Sequence, residues 1–138
     1  DKKENLIQNN CYWLSTVADI PDFENSTWYW TPSKQHADFS ALDSMSKTTV
    51  EYNYSIDEID GMFSFEVTVL NPTDKIAFFV DFMLVEDKTN EPILPVFWSD
   101  NYISLLPGEQ RVLTGTAENS ELKDRKELKI MMQGFNLE

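Results

Sequence analysis

Two consecutive runs with a side-chain period of two constrain the fold of this chain most strongly. Residues 48–57 alternate apolar or aromatic side chains with polar ones, and residues 63–69 repeat the pattern with phenylalanines and valines on one side. Successive side chains of a β-strand point to opposite faces, so each run predicts a strand with one buried face. Residues 57–61 form a polar sequence ending in glycine. The two runs and this turn predict a β-hairpin.

The second half of the chain continues as strands and turns. Residues 76–85 are almost unbroken apolar sequence, which predicts a central strand covered on both faces, with Asp81 as the exception. Leu106-Pro107-Gly108-Glu109 fits a type II turn, because proline presets φ at its second position and glycine accepts the positive φ at its third. Shorter strands are predicted at residues 94–98, 102–106, 111–116 and 128–135. About seven strands without a helical period between them predict an all-β, antiparallel two-sheet sandwich.

The first 45 residues differ from the rest. Residues 6–15 are interpreted as a strand, whereas residues 19–33 hold two prolines and the aromatic cluster Trp28-Tyr29-Trp30 without alternation. Asp38 is positioned to cap one short helical turn over residues 38–44. We therefore expect an N-terminal strand and a linker-like, irregular aromatic segment over residues 1–45, followed by the β-sandwich over residues 46–138.

Composition excludes several classes of partner. The chain has 138 residues and a formal net charge of −13, which argues against nucleic acid and anionic membranes, because both require a basic face. No apolar run of eighteen residues occurs, and the first residues do not form a signal peptide. Because the sequence lacks an initiating methionine, we expect a processed protein or a piece of a longer one. Cys11, the single cysteine, is predicted to be buried.

The residue inventory argues against catalysis and cofactor binding. His36 is the only histidine and is expected to be at the surface or hydrogen-bonded. No Gly-x-Ser-x-Gly sequence occurs that could hold a nucleophilic serine on a sharp turn. Residues 57–61 lack oxygen ligands where an EF-hand loop requires them, which leaves only a loosely bound calcium as an alternative. We predict no catalytic residue, no metal site and no cofactor, and interpret the 24 acidic residues as a solvated surface.

Several motifs in this order resemble one enzyme family. The motifs are NCYWLS at residues 10–15, TWYWTP at 27–32, ADFSAL at 37–42, Asn71-Pro72, FWSDNY at 97–102, LLPGE at 105–109 and MQGFN at 132–136. Together they are similar to the C-terminal immunoglobulin-like domain of glycoside hydrolase family 2, of the β-mannosidase or exo-β-glucosaminidase type. The chain departs from that pattern at Phe135, where relatives often carry tryptophan.

The resemblance implies an immunoglobulin-like sandwich that is not itself an enzyme. Family members cleave glycosidic bonds with two glutamates on a separate (β/α)8 barrel, which 138 residues cannot contain. The implied role is that of a structural accessory domain, with the catalytic barrel and other domains of a bacterial, exported (periplasmic or extracellular) glycosidase as its partners. Whether that parent acts on β-mannosides or on β-glucosaminides is left open by the resemblance.

Aromatic residues provide the candidate contact site. The candidates are Trp28, Tyr29, Trp30, Trp98, Asp100, Asn101 and Tyr102. One hypothesis is that these residues pack in the core of the sandwich or against other domains, as aromatics of sandwiches commonly do. The alternative is an independent module that binds a polysaccharide or another protein, with the rings stacked on sugars and Asp100 and Asn101 bonded to hydroxyls.

Overall fold

The computed structural model describes residues 10–118 and 127–138, and the chain divides between Met45 and Ser46 into two compact units. In the first unit, two short strands, β1 (Ile20–Pro21) and β2 (Ser33–Gln35), pair antiparallel. Two 3-10 helices cover Phe23–Asn25 and Ser40–Ser44. The strand predicted at residues 6–15 is wrong over residues 10–15, which are irregular, and its remainder lies outside the described residues.

The second unit is an all-β sandwich, as predicted. Its strands are β3 (Glu51–Ile59), β4 (Met62–Leu70), β5 (Ala77–Glu86), β6 (Val96–Trp98), β7 (Ile103–Leu105), β8 (Gln110–Glu118) and β9 (Leu128–Gln133). One antiparallel sheet has the order β3-β4-β8-β6 and the other the order β7-β5-β9. The arrangement agrees with an immunoglobulin-like fold. In the described part of the chain, no helix is long and apolar enough to cross a bilayer.

The predicted hairpin is confirmed, with a tighter turn than expected. Strands β3 and β4 pair from Glu51 opposite Leu70 to Ile59 opposite Met62. Only Asp60 and Gly61 connect them, with φ of 53° and 79°. Two consecutive positive φ angles are typical of the type I′ turn that suits the twist of a two-residue hairpin. The acidic residues 57 and 58 therefore belong to β3 and not to a calcium-type loop.

The core lies between the two sheets. It is formed by alternate residues of the long strands, with Phe65, Val67 and Val69 of β4 facing Val80, Phe82 and Leu84 of β5. The Tyr52 ring contacts that of Phe82 at a centroid distance of 6.0 Å. The Tyr52 hydroxyl donates to the Ile130 carbonyl at 3.2 Å, which joins the first sheet to the last strand of the second.

Strand β5 departs from its predicted environment at two residues. It is the central strand of its sheet, but its pairing with β7 is shifted between Ala77 and Val80. With Val80, Phe82 and Leu84 directed into the core, Phe79 lies on the outer side and is half exposed. Asp81, the expected exception to burial, is in fact buried and accepts a hydrogen bond from the Gln133 amide at 3.1 Å.

Three asparagines stabilise the irregular connections of the sandwich. Asn71 and Asn136 are buried, and Asn101 is half-buried. Each one uses its side-chain amide to hydrogen-bond backbone groups of another segment. Asn136 donates to the carbonyls of Ser46 and Ile76 and accepts from the backbone N–H of Phe78. A buried polar group of this kind must be paired, so these side chains fix how the loops close the sandwich.

The smaller sequence predictions have mixed outcomes. The turn at residues 106–109 has the expected features, since Gly108 has φ of 73° and the Glu109 N–H donates to the Leu106 carbonyl. His36 is at the surface, as predicted. Cys11 is exposed, so its predicted burial is wrong. The cysteine lies in the irregular stretch 10–15, where no strand exists to direct it inward.

Candidate functional site

The N-terminal aromatic residues form the tip of a tightly bonded loop in the first unit. Thr27 donates its backbone N–H to the Trp30 carbonyl at 2.8 Å, which closes a tip of two intervening residues. Below this pair, the hydroxyls of Ser26 and Thr31 lie 2.7 Å apart. Residues 28–30 are hereafter called the aromatic tip. Its conformation is set by the hydrogen bonds of its stem and not by burial of its rings.

A polar cluster supports the base of this loop. Asp22 accepts a hydrogen bond from the Asn25 side chain at 2.6 Å, and the Lys34 ammonium lies 3.3 Å from its other carboxylate oxygen. The Asn25 amide and, to a smaller extent, the Lys34 ammonium hold the pKa of the Asp22 carboxyl below its usual value. The carboxylate is therefore ionised at neutral pH and retains both partners. The backbone N–H of Asp22 also donates to the Pro32 carbonyl at 2.7 Å.

The rings of the aromatic tip are largely exposed. Trp28 is 94% exposed and Tyr29 is 73% exposed, while Trp30 is also exposed. The Trp28 and Tyr29 rings meet edge to face, at a centroid distance of 4.9 Å and an interplanar angle of 74°. Trp28, Tyr29 and Trp30 thus form exposed aromatic surface on a hydrogen-bonded loop.

The second group of candidate residues comprises the last residue of β6 and three residues of the loop that leads to β7, and it is mostly engaged within the sandwich. Trp98 is half-buried, with its ring 4.7 Å from that of Phe65. Asn101 accepts from the Phe82 N–H at 2.9 Å and donates to the Phe82 carbonyl at 3.0 Å. Asp100 accepts from the Asn101 N–H, and its other oxygen lies 4.0 Å from the Arg111 guanidinium. These contacts leave Tyr102 as the exposed ring among the predicted residues of this loop.

The structure therefore divides the seven candidates into two groups. Trp28, Tyr29 and Trp30 form one continuous tip in the first unit, and the other four lie at the end of β6 and in the loop that follows it in the second. Tyr102 also contacts a residue that the sequence analysis did not select, since its ring lies 5.3 Å from that of Phe79. The alternation of β5 gave no signal for this exposure, because Asp81 has the same parity and is buried; the register shift between Ala77 and Val80 places Phe79 outside.

The described residues provide little material for chemistry. Within residues 10–118 and 127–138, no three His, Cys, Asp or Glu side chains gather closely enough to hold a metal ion. Besides Asp22, the Asp38 carboxyl has a lowered pKa, because it accepts hydrogen bonds from Ser40. Asp38 thus supports the 3-10 helix after it, close to its predicted capping role, although the position directly before that helix is Phe39.

Comparison with known proteins finds one consistent group of relatives. The family model described as the exo-beta-D-glucosaminidase Ig-fold domain matches residues 28–137. The chain is 36% identical to an exo-beta-D-glucosaminidase of Amycolatopsis orientalis, over 99% of this chain and 13% of the relative. It is 40% identical to the enzyme of Streptomyces avermitilis, over 84% of this chain and 13% of the relative. Against the Arthroderma benhamiae enzyme the identity is 33%, over 100% of this chain and 15% of the relative.

Solved structures agree with the sequence comparison. The crystal structure of the Amycolatopsis orientalis exo-chitosanase CsxA superposes with a TM-score of 0.83 at 36% identity, covering 91% of this chain and 15% of that chain. A structure of the exo-beta-D-glucosaminidase CsxA inhibited by a glucosamine-configured castanospermine superposes with a TM-score of 0.90 at 34% identity, over 99% of this chain and 16% of that chain. The present chain thus spans about one seventh of the length of these proteins.

Proposed function

The chain belongs to the family of Ig-fold domains of exo-β-D-glucosaminidases, and from that membership we propose that it serves a larger glycosidase as an accessory domain. The domain itself is non-catalytic. Its role is to pack against other domains of the same polypeptide, including the catalytic one, and to stabilise and orient them. The present chain covers only 13–16% of these relatives, so such a domain has a large protein body beside it.

The observation that carries this proposal is the aromatic tip. Trp28 and Tyr29 are exposed, yet the bonds of Thr27, Ser26 and Asp22 hold their loop in one conformation. Two large exposed rings contribute no buried apolar surface to the stability of an isolated domain. A pair of rings held in one conformation is well suited to fill a pocket on a partner. The family match begins at Trp28, so the tip is part of the matched region.

The relatives also favour one substrate class for the parent. We propose a glycosidase acting on β-D-glucosaminides, because each relative described above is an exo-beta-D-glucosaminidase and a matched structure is described as an exo-chitosanase. The alternative implied by the resemblance, a parent acting on β-mannosides, receives no comparable support. Both bacterial and fungal relatives exist, so the expectation of a bacterial source is not specifically supported. Export of the parent stays a prediction, which localisation of the full-length protein would test.

Binding of a polysaccharide by the isolated domain is the alternative, and the geometry is less favourable to it. A sugar site typically pairs a flat ring with free amide or carboxylate groups beside it. Here the Trp28 and Tyr29 rings are nearly perpendicular, and the Asn101 amide is occupied by the Phe82 backbone. We therefore place domain packing first.

Replacing both Trp28 and Tyr29 with serine should lower the thermal stability of the full-length parent protein but not that of the isolated domain. Because both rings are exposed in this chain, the melting temperature of the 138-residue chain should change by less than about 2 °C. In the full-length protein the same change should remove a packed aromatic contact of about 2–4 kcal/mol. Differential scanning calorimetry of both proteins measures the difference.

Ile59→Ser is the matched control, because Ile59 is also an exposed apolar residue but lies at the end of the β3–β4 hairpin. It should leave both melting temperatures unchanged. Equal melting of full-length wild type and double variant would contradict the packing role of the tip. A saturable change in tryptophan fluorescence with glucosamine oligosaccharides, lost in the double variant, would instead support the glycan-binding alternative.

A further inference from the structure

The second unit carries its own exposed aromatic surface, formed by Phe79, Tyr102 and Phe135 and hereafter called the aromatic face. Phe79 is 50% exposed and Tyr102 is 58% exposed, with their rings 5.3 Å apart. Phe135 is also exposed, and the half-buried Phe78 connects it to Phe79 through ring contacts of 5.8 and 5.7 Å. The three exposed rings come from β5, from the residue before β7 and from the segment after β9.

Two of these residues have an unfavourable backbone conformation. Phe79 has φ of 56° and Tyr102 has φ of 54°. The left-handed region is uncommon for residues other than glycine, asparagine and aspartate, and for a bulky side chain it is a clear outlier. Residues in such conformations are concentrated at functional surfaces, where the surrounding structure holds them in place. Phe79 and Tyr102 therefore combine a strained backbone conformation with a side chain that is about half exposed.

Hydrogen bonds to the Asn101 and Asn136 side chains maintain this arrangement. Asn101 accepts the Tyr102 N–H at 3.0 Å while it is bonded to the Phe82 backbone, and Asn136 accepts the Phe78 N–H at 2.8 Å. The Phe135 N–H donates to the Phe78 carbonyl at 3.0 Å. The backbone N–H groups of Phe78, Tyr102 and Phe135 are thus paired within the domain, beside the exposed rings.

We propose that the aromatic face is a second docking surface, and that its occupant is an apolar surface of another domain of the same polypeptide. This inference rests on the proposed function. The face has no charged side chain among its three residues, although the chain has a net charge of −13. A partner selected by charge would not meet the chain at an uncharged cluster of rings, whereas an apolar protein surface would.

The ring geometry distinguishes an apolar protein surface from a sugar. The Phe79 and Tyr102 rings are inclined to each other by 46°, and the Phe78 and Phe135 rings by 78°. Such a surface is uneven and suits interdigitation with side chains, because rings inclined in this way do not form one flat platform on which a sugar chain could stack. About 84–87% of each matched relative lies outside the region that this chain covers, which provides the body against which the face would pack.

Hydrogen–deuterium exchange tests the proposal. The backbone amides of residues 77–80, 101–103 and 134–136 should exchange at least about tenfold more slowly in the full-length protein than in the 138-residue chain. Equal exchange at all three segments in the two proteins would overturn the proposal. If residues 27–30 were protected in that case, the proposed function would stand without the aromatic face. If neither were protected, both would fail.

The double variant Phe79→Gly with Tyr102→Gly separates docking from folding. Glycine accepts a positive φ without strain, which offsets part of the ring contacts that the isolated chain loses, so its melting temperature should fall by only a few degrees. The full-length protein should melt at a lower temperature and lose the protection. Val112→Ser, at a residue 53% exposed on β8 of the other sheet, should change neither. An isolated variant destabilised as much as the full-length one, or concentration-dependent dimerisation of the isolated chain through this face, would overturn the proposal.

Discussion

Replacing Gly115 with alanine should lower the free energy of unfolding of the sandwich by about 2–3 kcal/mol. Gly115 lies on β8 between Phe65 of β4 and Trp98 of β6. The two rings meet across it at a centroid distance of 4.7 Å. A Cβ atom at this position would overlap the Phe65 ring, with the ring Cζ atom only 2.5 Å away. Because Phe65 is buried in the core, its ring has little space to move aside.

Chemical denaturation of the 138-residue chain measures this effect. Gly108→Ala is the matched control, since Gly108 has φ of 73° and open space around it. Its cost of about 1–2 kcal/mol would come from backbone strain alone. A second change, Phe65→Leu, should partly relieve Gly115→Ala, so the two effects should not add. Simple additivity of the two changes would contradict the proposed overlap.

Replacing Asn71 with alanine should cost about 3–5 kcal/mol, the largest single-residue loss that we expect in this chain. The buried Asn71 amide nitrogen lies 2.7, 3.0 and 3.2 Å from the carbonyl oxygens of Lys75, Leu105 and Leu106. Its oxygen accepts from the backbone N–H and the hydroxyl of Thr73. Removal of the side chain would leave several of these groups buried without partners.

Two further substitutions identify the cause of the loss. Asn71→Asp preserves the volume but replaces the donor with an acceptor that faces three carbonyls, so it should be at least as destabilising as alanine. Asn53→Ala, on the exposed side of β3, should change stability by less than about 0.5 kcal/mol. The midpoint of guanidinium denaturation reports all three. An Asn71→Asp protein as stable as wild type would show that the amide hydrogen bonds are not needed.

The strands of the sandwich were predictable because a strand with one buried face alternates apolar and polar residues in its sequence. In β4, the core residues Phe65, Val67 and Val69 alternate with Glu66 and Thr68, and the structure places them as this period requires. The turn at residues 106–109 was predictable for a related reason, since proline and glycine each satisfy one backbone angle. These features depend on neighbouring residues only.

The exposed aromatic residues were harder to assign because hydrophobicity does not state what will cover a side chain. Phe79 lies in an apolar run whose sequence predicts a strand covered on both faces, yet the register shift after Ala77 places it outside. The reverse holds for Trp98, which is a candidate for stacking on a sugar at the surface but packs on Phe65 of the core. A ring that packs on another domain and a ring that packs in the core have the same sequence signature.

The motifs that carry the family resemblance are explained mainly by folding. Asn71 of the Asn-Pro motif, Asn101 of FWSDNY and Asn136 of MQGFN each bond backbone groups that are distant in sequence. Sequence alone could not distinguish this role from ligand binding, because an asparagine amide serves both purposes equally well. The three-dimensional partners of each amide decide the question.

Retention of the domain after cleavage from its parent tests the central claim most directly. Protease sites engineered into the full-length protein on both sides of this chain would be cleaved under native conditions and the products separated by size-exclusion chromatography. If the domain packs on the rest of the polypeptide, it should elute together with the remainder, and the Trp28→Ser/Tyr29→Ser variant should release it. Quantitative release of the wild-type fragment would contradict the account.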